Sequence, residues 1–515
     1  MKKICLITLI FAFFNFSYAT IIDTPTVSGN WDLVSSPYEI YCDIEIPNGE
    51  TLTIDPGVEV VFYGHYRFNV QGRILAIGSE EENIIFRANN TEEGWMGIRF
   101  VKTPLTNGQS KISYCEISEG NANIWDDIYS FLGGGIFMWD YSKLSIKNNL
   151  FIGNRAGAGS AVALWNSSPD ISNNIFRANC SGYEGLEGSS GSATIDCLFG
   201  SSPIIKNNLI EQNWLIGQDW AQGAAIRLKA DSNAKIQNNI IRENYIISDG
   251  NEAEGIAMYI HSSDPLIINN LIYDNYVYPE FSLGDGGALW FYDSNPKIIN
   301  NTIKTNVASV GAALYFYQSS PDFHNNIIRG NESASNGYQI YLQDSACDPN
   351  FYHNNIEGGF DCFYGPGLSS FSGSWNNNID EDPKYEDQGN GIVFDLASDS
   401  PCIDSGSLDY LTDITMEELD LLGNERIFGT NIDIGAVESL ELVLGTPTNI
   451  IMEYNDTSII ISWDEIPLAT SYNIFSSNNP NSDFELIGTV ITNSYEIQTD
   501  NRNKIFYYIV SSNEE

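Results

Sequence analysis

The sequence predicts an all-β chain: a solenoid of stacked parallel coils followed by a small separate β domain. Three observations predict it. Paired asparagines recur at Asn148/Asn149, Asn173/Asn174, Asn207/Asn208, Asn238/Asn239, Asn269/Asn270, Asn300/Asn301, Asn325/Asn326 and Asn354/Asn355, in steps of 25, 34, 31, 31, 31, 25 and 29 residues. Each pair lies between short apolar runs, too short and too rich in Asn, Gly and Pro for helical repeats. The pattern then changes after Gly445-Thr446-Pro447, where longer alternating runs begin.

Met1-Lys2-Lys3, an apolar run to Phe16 and Ser17-Tyr18-Ala19 have the three regions of a secretory signal peptide, assigned to residues 1–19. The run is shorter than the ~20 residues a membrane-spanning helix needs, so export to the outside or the cell surface is expected. Removing those two lysines leaves 67 acids against 22 Lys plus Arg, from 24 in the whole chain. So acidic a surface repels nucleic acid and anionic lipid. It also disfavours a polyanionic ligand unless cations or a local basic patch intervene. No motif calls for a cofactor; the acidity suits divalent cations such as Ca2+, halophilic conditions or simple solubility. Seven cysteines remain, without metal-ligand spacing, and the sequence does not choose pairs among them.

Residues 20–110 hold short strands such as Val58-Glu59-Val60-Val61-Phe62, split by turns at Asn48-Gly49 and Pro56-Gly57. They form an N-terminal cap and the first irregular coils. Regular repeats are expected over 111–374. In one unit, small residues lead into a first strand, a turn often containing Ser-Ser-Pro, a second strand, the Asn pair and a third strand. Ile146, Ile171, Ile205, Ile236, Ile267, Ile298 and Phe323 hold one phase and should face a shared core. A second asparagine column runs Asn154, Asn179, Asn213, Asn244, Asn275, Asn306 and Asn331. Coils stacked about 4.8 Å apart would let these amides bond rung to rung.

On those repeats the chain resembles the right-handed parallel β-helix proteins of the pectate-lyase-like group over about residues 31–440. The resemblance implies polysaccharide lyases, glycoside hydrolases and adhesins among the relatives. Ser400-Pro401-Cys402-Ile403-Asp404 and Asp433-Ile434-Gly435-Ala436-Val437-Glu438 resemble the closing segment of such proteins, placed at 375–440. There Asp404, Asp420, Asp433, Glu438 and Arg426 suggest a cation or salt-bridge network. After a linker at 441–447, residues 448–515 resemble a fibronectin type III β-sandwich, with Trp463 in its core.

The longer coils insert their extra residues after the second asparagine column, so loops should gather on one flank. They carry Trp125, Asp126, Asp127 and Tyr129, then Tyr183, Glu184 and Glu187, then Trp214, Asp219 and Trp220, then Tyr245 and Asp249, then Tyr276, Tyr278 and Glu280. Aromatic faces beside carboxylates suit sugar rings. Beside them Asp196 and Arg227 share a phase on successive coils, Lys229 follows on the same strand face, and His261 is close in phase to Lys229. An acid with two cations is what β-elimination from a uronate asks for, and also what a rung-to-rung ion pair looks like. The expectation is a secreted or cell-surface protein that binds a polysaccharide or surface glycan, or acts as a structural or adhesive protein. Trp125, Tyr183, Trp214, Trp220, Tyr245, Tyr276, Tyr278 and His261 are its substrate contacts. The alternative is a polysaccharide-degrading enzyme, a lyase before a glycoside hydrolase, with Asp196, Arg227 and Lys229 as its catalytic set.

Overall fold

The computed structural model describes residues 19–122, 129–182, 191–217, 220–248, 253–278, 286–333, 339–386, 394–409, 419–440, 447–455, 458–466, 469–477, 479, 484–498 and 506–512. The predicted signal peptide therefore lies almost wholly outside the described residues. The chain divides into two compact units, Met1–Asp380 and Glu381–Glu515.

The first unit is a parallel β-helix. One coil shows the plan: Met258–His261 runs in a front sheet, Leu266–Ile268 in a back sheet and Leu271–Tyr273 in a side sheet, and Tyr276–Val277 then leaves the barrel in a flange. The front sheet has 12 strands, the back and side sheets 13 each and the outer layer of the flange eight. Strand pairing throughout these sheets is parallel, with identical phases in register, as at Ile236↔Ile267 and Ile267↔Ile298. The predicted isoleucine column lies in one continuous core that also holds Phe151, Phe176, Phe291 and Phe316. Burying each such side chain is worth roughly 1.5–3 kcal/mol.

Both asparagine columns form hydrogen-bonded ladders. In the first, Asn239 sends its backbone N–H and its side-chain Nδ2 to Oδ1 of Asn270, at 2.9 and 3.0 Å, and Nδ2 also reaches the Ile205 carbonyl. The second ladder repeats this, as from Asn244 to Asn275. The left-handed residue at each corner is the one before the ladder asparagine: Asn148 (φ 57°), Asn269 (56°) and their equivalents in the first, Ala178, Gln212, Glu243 and Thr305 in the second. Left-handed backbone costs a non-glycine residue roughly 1–2 kcal/mol, and the buried amide bonds offset it.

The phase of the last predicted pair is corrected by one residue. Asn354, not Asn355, continues from Asn326, and His353 takes the left-handed place (φ 56°). The ladder runs one rung further, to Asn378. Its first rung needs no asparagine, because the Cys115 backbone N–H donates to Asn149. A serine column serves the turn between front and back sheets, with Ser232 N–H on Ser263 Oγ, Ser263 N–H on Ser294 and Ser294 N–H on Ser319. That is the physical use of the recurrent Ser-Ser-Pro.

In the second unit Asp420, Asp433 and Glu438 are fully buried and accept backbone N–H groups: Asp420 from Leu422, Asn424 and Glu438, Asp433 from Asp404 and Ser439, Glu438 from Phe428 and Asp433. Arg426 stands 3.8 Å from Glu438 and donates to the carbonyls of Asp433 and Gly435. The carboxylates thus stand in for a missing sheet. No group of three or more candidate metal ligands occurs among the described residues. Two three-stranded antiparallel sheets follow, built on Ser458–Ser462 and Ser471–Ser477. Ile461, Trp463, Ile466, Tyr472 and Ile474 are buried together. All seven described cysteines are free thiols.

Candidate functional site

Along each front strand, alternate residues turn into the core and the rest outward. Register then lays the outward residues into two columns. The inner one reads Arg99, Phe137, Ala163, Asp196, Arg227, Tyr259, Trp290, Tyr315, Tyr341 and Tyr364; the outer one reads Val101, Trp139, Trp165, Leu198, Lys229, His261, Tyr292 and Tyr317. Most of the inner column is buried, while Trp139, Trp165, Lys229, His261, Tyr292 and Tyr317 are half-buried.

The flange explains the difference. Its outgoing strands, such as Trp214–Gly217 and Tyr245–Ser248, fold back through Ala221–Gln222 and Ala253–Glu254. Leu215, Ile246 and Val277 meet Ala221, Ala224, Ala253 and Ile256 in a second small core. The return strands turn their polar side toward the inner column. Gln222 Oε1 accepts from Arg227 Nη1 at 3.3 Å and Gln222 Nε2 donates to Glu254 at 2.8 Å; Ser192 donates to Asp196 at 3.2 Å. The front sheet is therefore the floor of a trench and the return strands are its wall.

Asp196 and Arg227 form a two-point ion pair at the centre of that floor, Nε–Oδ1 and Nη2–Oδ2 both at 2.9 Å. Asp196 is 0% exposed, and both its oxygens are occupied. It holds the guanidinium in place. Lys229 pairs in register with His261 on the half-open column. Burial first, then the Arg227 charge, pushes the Lys229 amine below its ordinary value, against the pull of Asp196 and Glu254. Burial and then Lys229 push the His261 imidazole down as well.

The loop aromatics stand elsewhere. Trp214, Tyr245 and Tyr276 stack on one another with centroids 6.1 and 5.3 Å apart and planes within 11°. They lie on the side of the flange away from Gln222, so they do not share the trench with Lys229. Stacking also changes what they offer: ring faces cover one another, leaving edges and phenolic oxygens. The front column behaves alike, with His261 on Tyr292 at 4.3 Å and Tyr292 on Tyr317 at 4.8 Å. Trp220 is 54% exposed and Tyr278 37%. Trp125 and Tyr183 lie outside the described residues, as do Asp126, Asp127, Glu184, Glu187, Asp219, Asp249 and Glu280.

Apart from His261, the aromatic residues of the front columns are absent from the sequence-based site, as are the wall residues Gln222 and Glu254. A signal for the columns existed: Trp165, His261, Tyr292 and Tyr317 each stand eight residues before Asn173, Asn269, Asn300 and Asn325. Leu314-Tyr315-Phe316-Tyr317 is apolar at every position, which hides the alternation.

Residues 200–383 match the family model described as right handed beta helix region, so the solenoid is a right-handed β-helix. No curated protein matches the chain. Among solved structures, one titled "Crystal structure of pectate lyase Pel9A" is similar at 11% identity over 76% of this chain and 88% of that chain, with a TM-score of 0.38. A likeness that slight carries no argument about activity.

Proposed function

We propose that the protein is a secreted or cell-surface β-helix that binds an extended polysaccharide along the front trench. The observation that carries this reading is the in-register, half-open column from Trp139 to Tyr317, centred on Lys229 and His261. A row of ring edges, phenolic hydroxyls and the Lys229 amine, one rung about every 4.8 Å, offers a linear polymer a series of contacts along its length. Trp220 and Tyr278 supply less covered rings on the flange. The C-terminal unit is read as a fibronectin type III-like spacer or docking module. Its two antiparallel sheets and buried Trp463 support that. Binding of the mature protein to a panel of soluble polysaccharides, lost on Lys229→Ala and on Trp165→Ala with melting unchanged, is the expected result. Retention of binding by both variants rejects the trench.

A second reading, a polysaccharide lyase, is favoured over a hydrolase because Arg227 and Lys229 stand on adjacent columns of one strand at the centre of the trench. There Lys229 would take the proton α to a uronate carboxylate as the bond from the β carbon to the glycosidic oxygen breaks, the departing oxygen taking its proton from water. Arg227 would neutralise that carboxylate, and Asp196 would hold Arg227. Incubation with uronate polymers and Ca2+ tests it by the absorbance of new double bonds. Product that disappears in Lys229→Ala supports it, and no product from any uronate rejects it.

A further inference from the structure

The mature chain is overwhelmingly acidic, yet its cations are not spread evenly. Between Lys111 and Arg329, the back-sheet strands carry Lys111, Lys147, Lys206, Lys235 and Lys297, and the side-sheet strands carry Arg177, Arg242, Lys304 and Arg329. These nine cations face four carboxylates on the same strands, Glu116, Asp170, Glu211 and Asp322. Acids return at the corner beyond the side sheet, at Glu243 and Asp274. A band of net positive charge thus runs along two faces that the trench does not use.

The band contains a groove. The residues just before and after the first asparagine ladder point away from the main core, since Ile267 and Ile272 belong to that core while Ile268 and Leu271 do not. Ile268, Ile299, Leu271 and Ile327 are nonetheless buried, so the outer surface is re-entrant at this corner and those side chains fill it. Four rungs earlier the filling is incomplete: Leu150, Ile175, Leu209 and Ile240 are half-exposed. Lys147 and Lys206 stand on the back-sheet rim of this aliphatic floor, and Arg177 and Arg242 on the side-sheet rim.

The ion pairs on the rims leave the charge in excess. Arg177 and Arg242 share the single carboxylate of Glu211, at 2.5 and 2.6 Å. Burial pushes the Glu211 carboxyl up, but the two guanidiniums outweigh it and hold it below its ordinary value. Lys147 pairs with Asp170, while the register partners of Lys206 are Ser172 and Gln237, neither of them a carboxylate.

We propose that this groove is a second ligand site, separate from the trench and independent of the reading given for it, and that it takes a linear anionic polysaccharide. Aliphatic side chains on the floor suit the C–H faces of sugar rings. Cations on alternate rungs of each rim, two strand spacings apart, suit a chain with regularly spaced charges. A re-entrant groove suits a thin polymer better than a flat lipid surface. The groove stands out because the chain as a whole is strongly acidic, with 67 Asp plus Glu against 24 Lys plus Arg.

The mature protein is titrated at low ionic strength with sodium polygalacturonate and with its fully methyl-esterified, neutral counterpart. The expected result is binding of the acidic polymer alone, screened by salt. It should weaken roughly tenfold in Lys206→Glu and in Leu209→Glu, with melting unchanged, and persist in Lys229→Ala. Binding lost in Lys229→Ala but kept in Lys206→Glu assigns the polymer to the trench and overturns the proposal. Equal binding of the neutral polymer, or no binding of either, also overturns it. So does a Lys206-dependent preference for anionic vesicles, for duplex DNA or for a second copy of this chain seen as self-association.

Discussion

Asp196 and Arg227 show how a residue pair can be read correctly for position and still be ambiguous for role. Phase counting makes them neighbours, but only the side-chain geometry shows both Asp196 oxygens committed to one guanidinium. Removing one partner strands a buried charge. Asp196→Ala should therefore cost roughly 3–5 kcal/mol, and Asp196→Leu combined with Arg227→Met should recover most of it in denaturant melts. His324 gives a second test at this scale. It is buried against Tyr352, with ring centroids 4.9 Å apart, and burial pushes its imidazole down to about 4. The folded value lies below the unfolded one, so the unfolded chain takes up a proton first as pH falls. Stability from this group is present above pH ~6.5 and is lost toward pH ~4, by roughly 3 kcal/mol. In His324→Phe that part of the acid sensitivity should vanish from the melting profile.

At the scale of the element, the asparagine ladders were legible because one residue type at one phase leaves a visible mark. The front columns were hidden because many residue types satisfy an outward position. Tyr259, Trp290 and Tyr315 align as well as the asparagines do, yet chemically they repeat only in part. The flange was half legible. Unequal repeat lengths put the insertions on one corner, but nothing in Leu215, Ala221 or Ile246 announces that the insertions fold back with a core of their own. That core sends Trp214 and Gln222 to opposite sides. Ladder energetics are testable by position. Asn270→Ala removes the acceptor of Asn239 and leaves buried N–H groups unpaired, at roughly 2–4 kcal/mol. Asn378→Ala, at the half-buried last rung, should cost below about 1 kcal/mol in the same assay.

For the whole molecule, composition gave a surface that disfavours polyanions unless a local basic patch intervenes, and net charge carries no information about where such a patch lies. The strand register places Lys206 and Arg242 on facing rims, and the sequence alone had no way to join them across the ladder corner. The two compact units make a further prediction. A chain ending after Asp380 keeps the Arg329–Asp380 ion pair at 2.8 Å and the bridge between Asn355 and Ile379. It should retain a β-sheet circular dichroism spectrum and cooperative melting, and loss of both would show that the helix depends on residues beyond 380.

The ladders also have a polarity. Every rung accepts through Oδ1 from the rung before and donates through its backbone N–H and Nδ2 to the rung after, from Asn149 to Asn378. The stack is thus a polymer with unlike ends. Its beginning can be closed by any backbone N–H, and Cys115 and Gly120 serve. Its finish presents donors, which need an oxygen: Gln339 Oε1 accepts from Asn331, and the Phe351 carbonyl accepts from Asn378. Buried orphan donors are rarely tolerated, so an unfinished helix is adhesive at its growing tip, and coils added in chain order each arrive with the one acceptor that tip lacks.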